Sequence, residues 1–405
     1  MYVRDARLII VVCVTAATCC PQRAFARERP HVVAETIEPQ PVSGQLAALS
    51  LRDGLILNTD SGAREHIATR DLVRITTACV ESGKRRYDTK LTLTGGDVLY
   101  GRITEGDGDA IVFETSDIGR VALPFDTIEK VDVPLASEEA VRGAVALLDS
   151  SPKAGHDRVL LSNGDVVTGF VAALDDGHVF IEGAQGGTRI PRNLVMAVRL
   201  VAAPPREIEG VYIHVTLCNS GRVTATDVEW SEGPAEALLR HGQRVSIDSG
   251  RIARVDVHGG RWEPLSRHQP ISFQHTPMLS LSWQHVSGRN VVGGPITING
   301  ETFERGIGVH SRSSLGFDLQ GKYRQFVTSF GIDDDSGPYA DVAVHILVDG
   351  KVRYGREQVR RGSLFGPVRL DVGSARHLEL VVDFGENGDI QDRFNWIEPA
   401  LVKSQ

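Results

Sequence analysis

The chain has 405 residues, 41% apolar and 24% charged, with a formal net charge of −8. That composition supplies apolar material for several packed cores and excludes wholesale disorder. The acidic balance excludes a nucleic-acid partner, whose phosphates demand a basic face.

The first element reads as a targeting segment. Arg4 and Arg7 flank the start of the apolar run Leu8–Ala17, and Ala24-Phe25-Ala26 fits the small-x-small cleavage rule. The run is too short to cross a bilayer comfortably. Residues 1–26 are expected to be a secretory signal, with a retained anchor as the alternative. Cys19 and Cys20 follow Ala16-Ala17-Thr18, a poor match to a lipobox. Removing the segment leaves 41 basic against 51 acidic residues, a net charge of −10. Cys79 and Cys218 then remain. Export permits a disulfide, but two cysteines in separate units are expected to be small buried hydrophobes. No CxxC or Cys/His metal framework exists, and no later run is long enough to span a membrane. The expected location is secreted, periplasmic or cell-envelope associated.

Residues 27–40 carry prolines and glutamates and read as a linker. A pattern then recurs: KLTLTGGDVLYGRI at 90–103, RVLLSNGDVVTGFV at 158–171 and VYIHVTLCNSGRV at 211–223. Each is an alternating apolar run, a Gly-centred turn and a second alternating run, which is a hairpin signal. Each continues into further alternating stretches, as in AIVFETSDIGRVALPFDTIEKVDV at 110–133. The recurrence predicts about four small β units of five short strands each. Their expected bounds are 41–78 for a degenerate copy, then 88–135, 158–203 and 208–266. Between the second and third, SEEAVRGAVALL at 137–148 has a capping Ser137, glutamates in its first turn and helically spaced apolar residues. Residues 136–157 are therefore a connecting helix and linker.

With Gly101 and Gly169 after the Gly-Asp-Val turns, the units resemble Sm-like or SH3-like small barrels. Sm proteins that bind RNA use an Asp and Asn pair in the next loop. EGDGDAI and LDDGHVF stand there instead, so the resemblance implies spacer or protein-contact modules.

From about residue 277 the texture changes to seven or more short strands without helices, including DVAVHILVDGKVRYG at 341–355. Its Asp349-Gly350 predicts a type I′ hairpin turn. The fold class is therefore all-β: tandem small β-barrel-like repeats, one short connecting helix and a C-terminal β-sandwich over 277–404. FERGIGVHSRSSLGFDL, YRQFVTSFGIDDD, VHILVDGKVRYG and RHLELVVDFGENGDIQDRFNWIEPALV together resemble the NPCBM/NEW2 family of jelly-roll modules found beside glycoside hydrolases. The resemblance implies carbohydrate binding. Two positions depart from the family pattern, which often has a His and an Asp just before the C-terminal tryptophan. Arg393 and Asn395 stand there, before Trp396.

The candidate carbohydrate-binding residues are Trp283, His310, Arg312, Asp334, Arg393 and Trp396. Trp283 and Trp396 each offer a flat face to a sugar's C–H surface or belong to the core, and core packing is expected of Trp396. His310 sits in a strand-like run and is expected to be buried and hydrogen-bonded, with a sugar-hydroxyl contact as the alternative. Arg312, Arg393 and Arg356 offer fork-shaped donors or pair with surface acids. Asp334 belongs to the triplet Asp333-Asp334-Asp335, where crowded carboxylates suit a solvated turn, sugar hydroxyls or Ca²⁺. For a structural Ca²⁺ the candidate ligands are Asp333, Asp335, Asp389 and Asp392. No other cofactor is implied.

GxSxG, HExxH and a Walker P-loop are all absent. The expected function is that of an exported, non-catalytic carbohydrate-binding protein. The alternatives are an envelope protein-interaction scaffold with a degenerate sugar site, and an unrecognised glycoside hydrolase.

Overall fold

Each Gly-centred turn folds as the first hairpin of a five-stranded unit. The computed structural model describes residues 29–79, 87–133, 155–183, 186–278 and 280–404, together with 143, 145, 148 and 149. The expected signal segment lies outside the described residues, as does most of the connecting helix.

Repeat one holds β1 (His31–Thr36), β2 (Val42–Ser50), β3 (Gly54–Thr59), β4 (Arg64–Ile67) and β5 (Leu72–Thr77). Repeat two holds β6 (Thr89–Leu93), β7 (Val98–Gly106), β8 (Ala110–Thr115), β9 (Gly119–Pro124) and β10 (Ile128–Asp132). Repeat three holds β11 (Asp157–Leu161), β12 (Val166–Leu174), β13 (His178–Gly183), β14 (Gly186–Pro191) and β15 (Val195–Arg199). Repeat four holds β16 (Tyr212–Leu217), β17 (Arg222–Trp230), β18 (Ala235–Leu239), β19 (Arg244–Ile247) and β20 (Ile252–His258).

All four share one spatial order, in which the fifth strand pairs with the first and the rest follow in sequence. Each has a register shift in its second strand and a single 3₁₀ turn before its fifth. The period-2 pattern sets the inward faces: in β8 every second residue is buried. Gly101 and Gly169 are required by close approach, since a Cβ would stand 2.1 and 2.4 Å from the carbonyl oxygens of Glu114 and Glu182.

The expected linker over 27–40 is corrected by β1. Val32 and Ala34 are fully buried, and β1 closes repeat one between β2 and β5. The repeats pair through their fifth strands, β5 with β20 and β10 with β15. Repeats four and two meet through β17 and β7. The order in space is thus one, four, two, three.

The two cysteines are bridged, which overturns the expectation that they stay apart. β5, β20 and β16 are successive neighbours, so the ends of β5 and β16 emerge side by side. This places the Cα atoms of Cys79 and Cys218 5.7 Å apart in a disulfide across 139 residues of sequence. Cys218→Ser is expected to lower stability by about 2–4 kcal/mol in non-reducing urea titrations. Reductant should then have no further effect on the variant.

The C-terminal sandwich begins earlier than residue 277. Its strands are β21 (Trp262–Pro264), β22 (Ser272–His275), β23 (Val286–Ser287), β24 (Ile296–Ile298), β25 (Glu301–Phe303), β26 (Gly306–His310), β27 (Ser313–Asp318), β28 (Tyr323–Ile332), β29 (Asp341–Val348), β30 (Lys351–Arg360), β31 (Phe365–Asp371), β32 (His377–Phe384) and β33 (Arg393–Lys403). One sheet runs β23-β26-β33-β28-β31, with β21 added on β33, and the other runs β22-β27-β32-β29-β30. Phe330, Phe394 and Trp396 fill the space between them. Asp349 and Gly350 both adopt positive φ (48° and 74°) at the turn between β29 and β30, as expected of that dipeptide.

The sandwich is fixed to repeats one and four. Ile37, Val73, Val327 and Val402 form a small apolar cluster against Trp262. Beside it the Asp256 carboxylate accepts from Arg74 Nε (2.9 Å), Arg254 Nε (2.7 Å) and Arg305 Nη2 (2.8 Å). Arg74 also reaches Glu398 at 2.7 Å.

Candidate functional site

Strand directions bring four connections to one end of the sandwich: 276–278 with 280–285, 311–312, 333–340 and 385–392. Loops gathered at the end of a rigid sandwich are where recognition residues concentrate.

At this end Trp283 lies flat on His310, with ring centroids 5.3 Å apart and an interplanar angle of 10°. The stack is held from beneath. The Trp283 N–H donates to His275 Nδ1 at 3.2 Å, and His275 Nε2 donates to the Ser311 carbonyl at 3.0 Å. His310 Nδ1 donates to the same carbonyl at 3.0 Å. Burial lowers the His310 pKa, so a neutral ring underlies the half-exposed indole. Arg312 is exposed and pairs loosely with Asp383 at 3.4 Å. A solvated pair of this kind contributes little, which leaves the guanidinium open to other acceptors.

Beneath the loops Asp392 is fully buried. It accepts from Ser311 Oγ at 2.5 Å and from the Asp341 N–H at 3.1 Å. Burial, aided by the charges of Asp389 and Asp341, pushes its carboxyl up to about 7. The folded value lies above the unfolded one, so folding favours the neutral acid. Its stabilising contribution is present below about pH 4 and is lost as pH rises through about 7. Asp392→Asn is expected to flatten the pH dependence of melting over that window and to raise the melting temperature at about pH 8. Equal slopes in variant and wild type would contradict this assignment.

The remaining candidates divide. Trp396 is fully buried between Phe330 and Phe394, with no face open to a ligand, so its place among the sugar contacts is corrected. Asp334 caps the turn between β24 and β25, accepting from the Asn299 and Gly300 N–H groups at 2.9 and 2.8 Å. Arg393 reaches back to the Asp335 carboxylate at 3.1 Å and its carbonyl oxygen at 3.0 Å.

The four acids proposed for Ca²⁺ are not gathered. Among the described residues no three His, Cys, Asp or Glu side chains form a group suited to a metal ion. Asp333 is buried and accepts from the amides of Asn290 (3.3 Å) and Asn395 (2.7 Å) and from the Thr297 N–H (3.3 Å). Burial and the neighbouring Asp335 raise its pKa. Asp389 instead accepts from the Met278 N–H at 3.1 Å. These donors hold the Asp333 carboxyl in place at the base of the loops.

Sequence reasoning missed His275, which falls before the expected module start, and the exposed rim of Met278, Tyr339 and Ile390. The signal for Tyr339 was present: an aromatic residue directly after Ser336-Gly337-Pro338, a turn sequence. A cleft of about 360 Å³ lies elsewhere, lined by Val33, Trp262, Phe303, Leu364 and Ile397 among others. It belongs to the junction between repeat one and the sandwich and holds none of the candidate residues.

Residues 264–402 match the family model of the NPCBM/NEW2 domain. Among solved structures, the chain is similar to a CBM51 of Clostridium perfringens GH95 in complex with methyl-galactose. Identity there is 21%, the TM-score is 0.30, and 35% of this chain and 99% of that chain are covered. It is also similar to CBM51-2 in complex with GlcNAc and INT domains from Clostridium perfringens ZmpB. Identity there is 22%, the TM-score is 0.32, and 47% of this chain and 43% of that chain are covered. A third similarity is to the tandem CBM51 modules of Sp3GH98 from Streptococcus pneumoniae, at 13% identity and a TM-score of 0.30, covering 61% and 88%. No curated protein matches. No helix among the described residues is long and apolar enough to cross a membrane.

Proposed function

We propose that this is an exported, non-catalytic carbohydrate-binding protein that recognises a glycan at the loop end of its C-terminal module. The observation that carries this reading is the Trp283–His310 stack, placed within the residues that match the NPCBM/NEW2 domain. A half-exposed indole on a fixed support suits the apolar C–H face of a sugar ring. Arg312 supplies donors to ring hydroxyls beside it. One shallow site of this kind binds with a dissociation constant on the order of micromolar to millimolar, or about −8 to −4 kcal/mol. Export is supported by the Cys79–Cys218 disulfide, since such bonds persist in oxidising compartments.

A second reading is an envelope scaffold that binds proteins. It is favoured by one observation: Arg393 and Asn395, which replace the family's His and Asp, are engaged with Asp335 and Asp333.

The test is a broad glycan array probed with the intact chain, with Ca²⁺ and with chelator. A saturable signal competed by free sugar is expected. A blank array from a chain that melts cooperatively would remove the glycan reading and favour the scaffold.

A further inference from the structure

The four repeats differ in what they leave uncovered. Repeats two and four dock through equivalent parts, namely the first turn and the start of the second strand. Arg222 of β17 pairs with Val98 of β7, and the N–H and Oγ of Thr224 donate to Asp97 at 3.0 and 2.6 Å. Arg222 Nε also donates to the Gly96 carbonyl at 3.2 Å.

Repeat three carries the same parts. In the aligned stretches, Asp165, Val166 and Phe170 stand where repeat two has Asp97, Val98 and Arg102. Here, however, they face solvent. Among the described residues, the Asp165 carboxylate is bonded within its own turn, by Asn163 at 2.6 Å. Val166 is 47% and Phe170 63% exposed, two outward positions of β12 on the same face. Leu194, whose carbonyl holds the same turn through the Ser162 N–H, is 45% exposed. The equivalent outward position in repeat two is Arg102, which makes a solvated pair with Glu114.

Repeat three is also the terminal unit of the array, joined to repeat two alone among the described residues. A terminal repeat ordinarily needs a polar outer face to stay soluble. Apolar side chains on this one mark an interaction surface.

We propose that the β12 face of repeat three is a self-association surface that docks on the same face of a second copy about a two-fold axis. A second copy is the fitting occupant because the internal joint between repeats two and four already sets this element against its own equivalent. The equivalent positions Val98 and Arg222 stand opposite one another on antiparallel strands, the geometry a two-fold interface requires. The sandwich sits at the opposite end of the array, on repeats one and four. A dimer joined at repeat three therefore carries its two sandwiches at its far ends. Given the glycan reading above, it is bivalent.

The test is the mass of the intact chain by light scattering during size exclusion, over a range of concentrations. Twice the chain mass is expected. Phe170→Asp combined with Val166→Lys is expected to yield the single-chain mass with an unchanged melting curve. Val352→Asp, an exposed position on β30 of the sandwich, should leave the dimer intact. Copies carrying Val166→Cys, the position whose equivalents face each other in the internal joint, should cross-link to one another on oxidation. A single-chain mass for wild type at every concentration would overturn the proposal, as would a dimer that survives both repeat-three substitutions. On a glycan-coated surface the dimer should be retained at least about 100-fold better than the monomeric variant. Loss of that gain with the dimer mass intact would strike the glycan reading and not the association.

Discussion

Asp256→Ala is expected to destabilise the chain by about 3–5 kcal/mol, the usual effect of removing one partner from a buried ion cluster. The side chain is 8% exposed and stands among three guanidiniums from three parts of the molecule. Arg74 comes from repeat one, Arg254 from repeat four and Arg305 from the sandwich. Without the carboxylate, three partly buried cations face one another with only Glu35, Glu304 and Glu398 at the margin. Burial alone would raise the Asp256 pKa, but Arg305, Arg74 and Arg254 outweigh it and hold the carboxyl below its ordinary value. Its contribution is therefore present above the unfolded carboxylate pKa of about 3.9 and is lost as pH falls through the lower folded value. Urea titration read by far-UV dichroism checks the magnitude, and acid titration of wild type checks the sign. A variant that unfolds like wild type would show that the apolar cluster around Ile37 and Val402 alone fixes the sandwich.

The second large effect separates two tryptophans. Trp396→Ala is expected to cost about 3–5 kcal/mol, since it empties a fully buried site packed by Phe330 and Phe394. Trp283→Ala is expected to leave the melting temperature nearly unchanged and to weaken glycan binding about thirtyfold, or about 2 kcal/mol. Calorimetric titration and thermal melting of both variants check the pair. Binding lost only when Trp396 is changed and the fold is compromised would contradict the placement of the site.

Much of the fold was legible because strand alternation and Gly-centred turns are local signals. Leu91 and Leu93 in KLTLTGGD, and Ile111 and Phe113 in AIVFET, mark inward faces without any knowledge of neighbours. β1 was missed because its inward pair, Val32 and Ala34, spans a short run set among prolines and glutamates. Its place is set by β5, some forty residues later. The disulfide was illegible for the same reason. Cys79 and Cys218 meet only because β20 stands between β5 and β16.

The site was half legible. The burial of Trp396 follows from its apolar strand context. The stack of Trp283 on His310 joins a loop residue to the end of β26, and nothing in either local stretch announces the other. The partners of the acidic triplet were not legible, because they come from distant loops. In the fold, Asp333 and Asp335 share the Asn290 amide, Asp333 also meets Asn395, Asp335 also meets Arg393, and Asp334 points to a neighbouring turn.

The most direct test of the central claim is saturation-transfer difference NMR between the intact chain and the best ligand from the array. Wild type and Trp283→Ala would be compared at equal concentration. The account predicts transfer concentrated on the C–H protons of one sugar face in wild type, and its loss in a Trp283→Ala chain that melts normally. Undiminished transfer in the variant would contradict it and move recognition away from the Trp283–His310 stack.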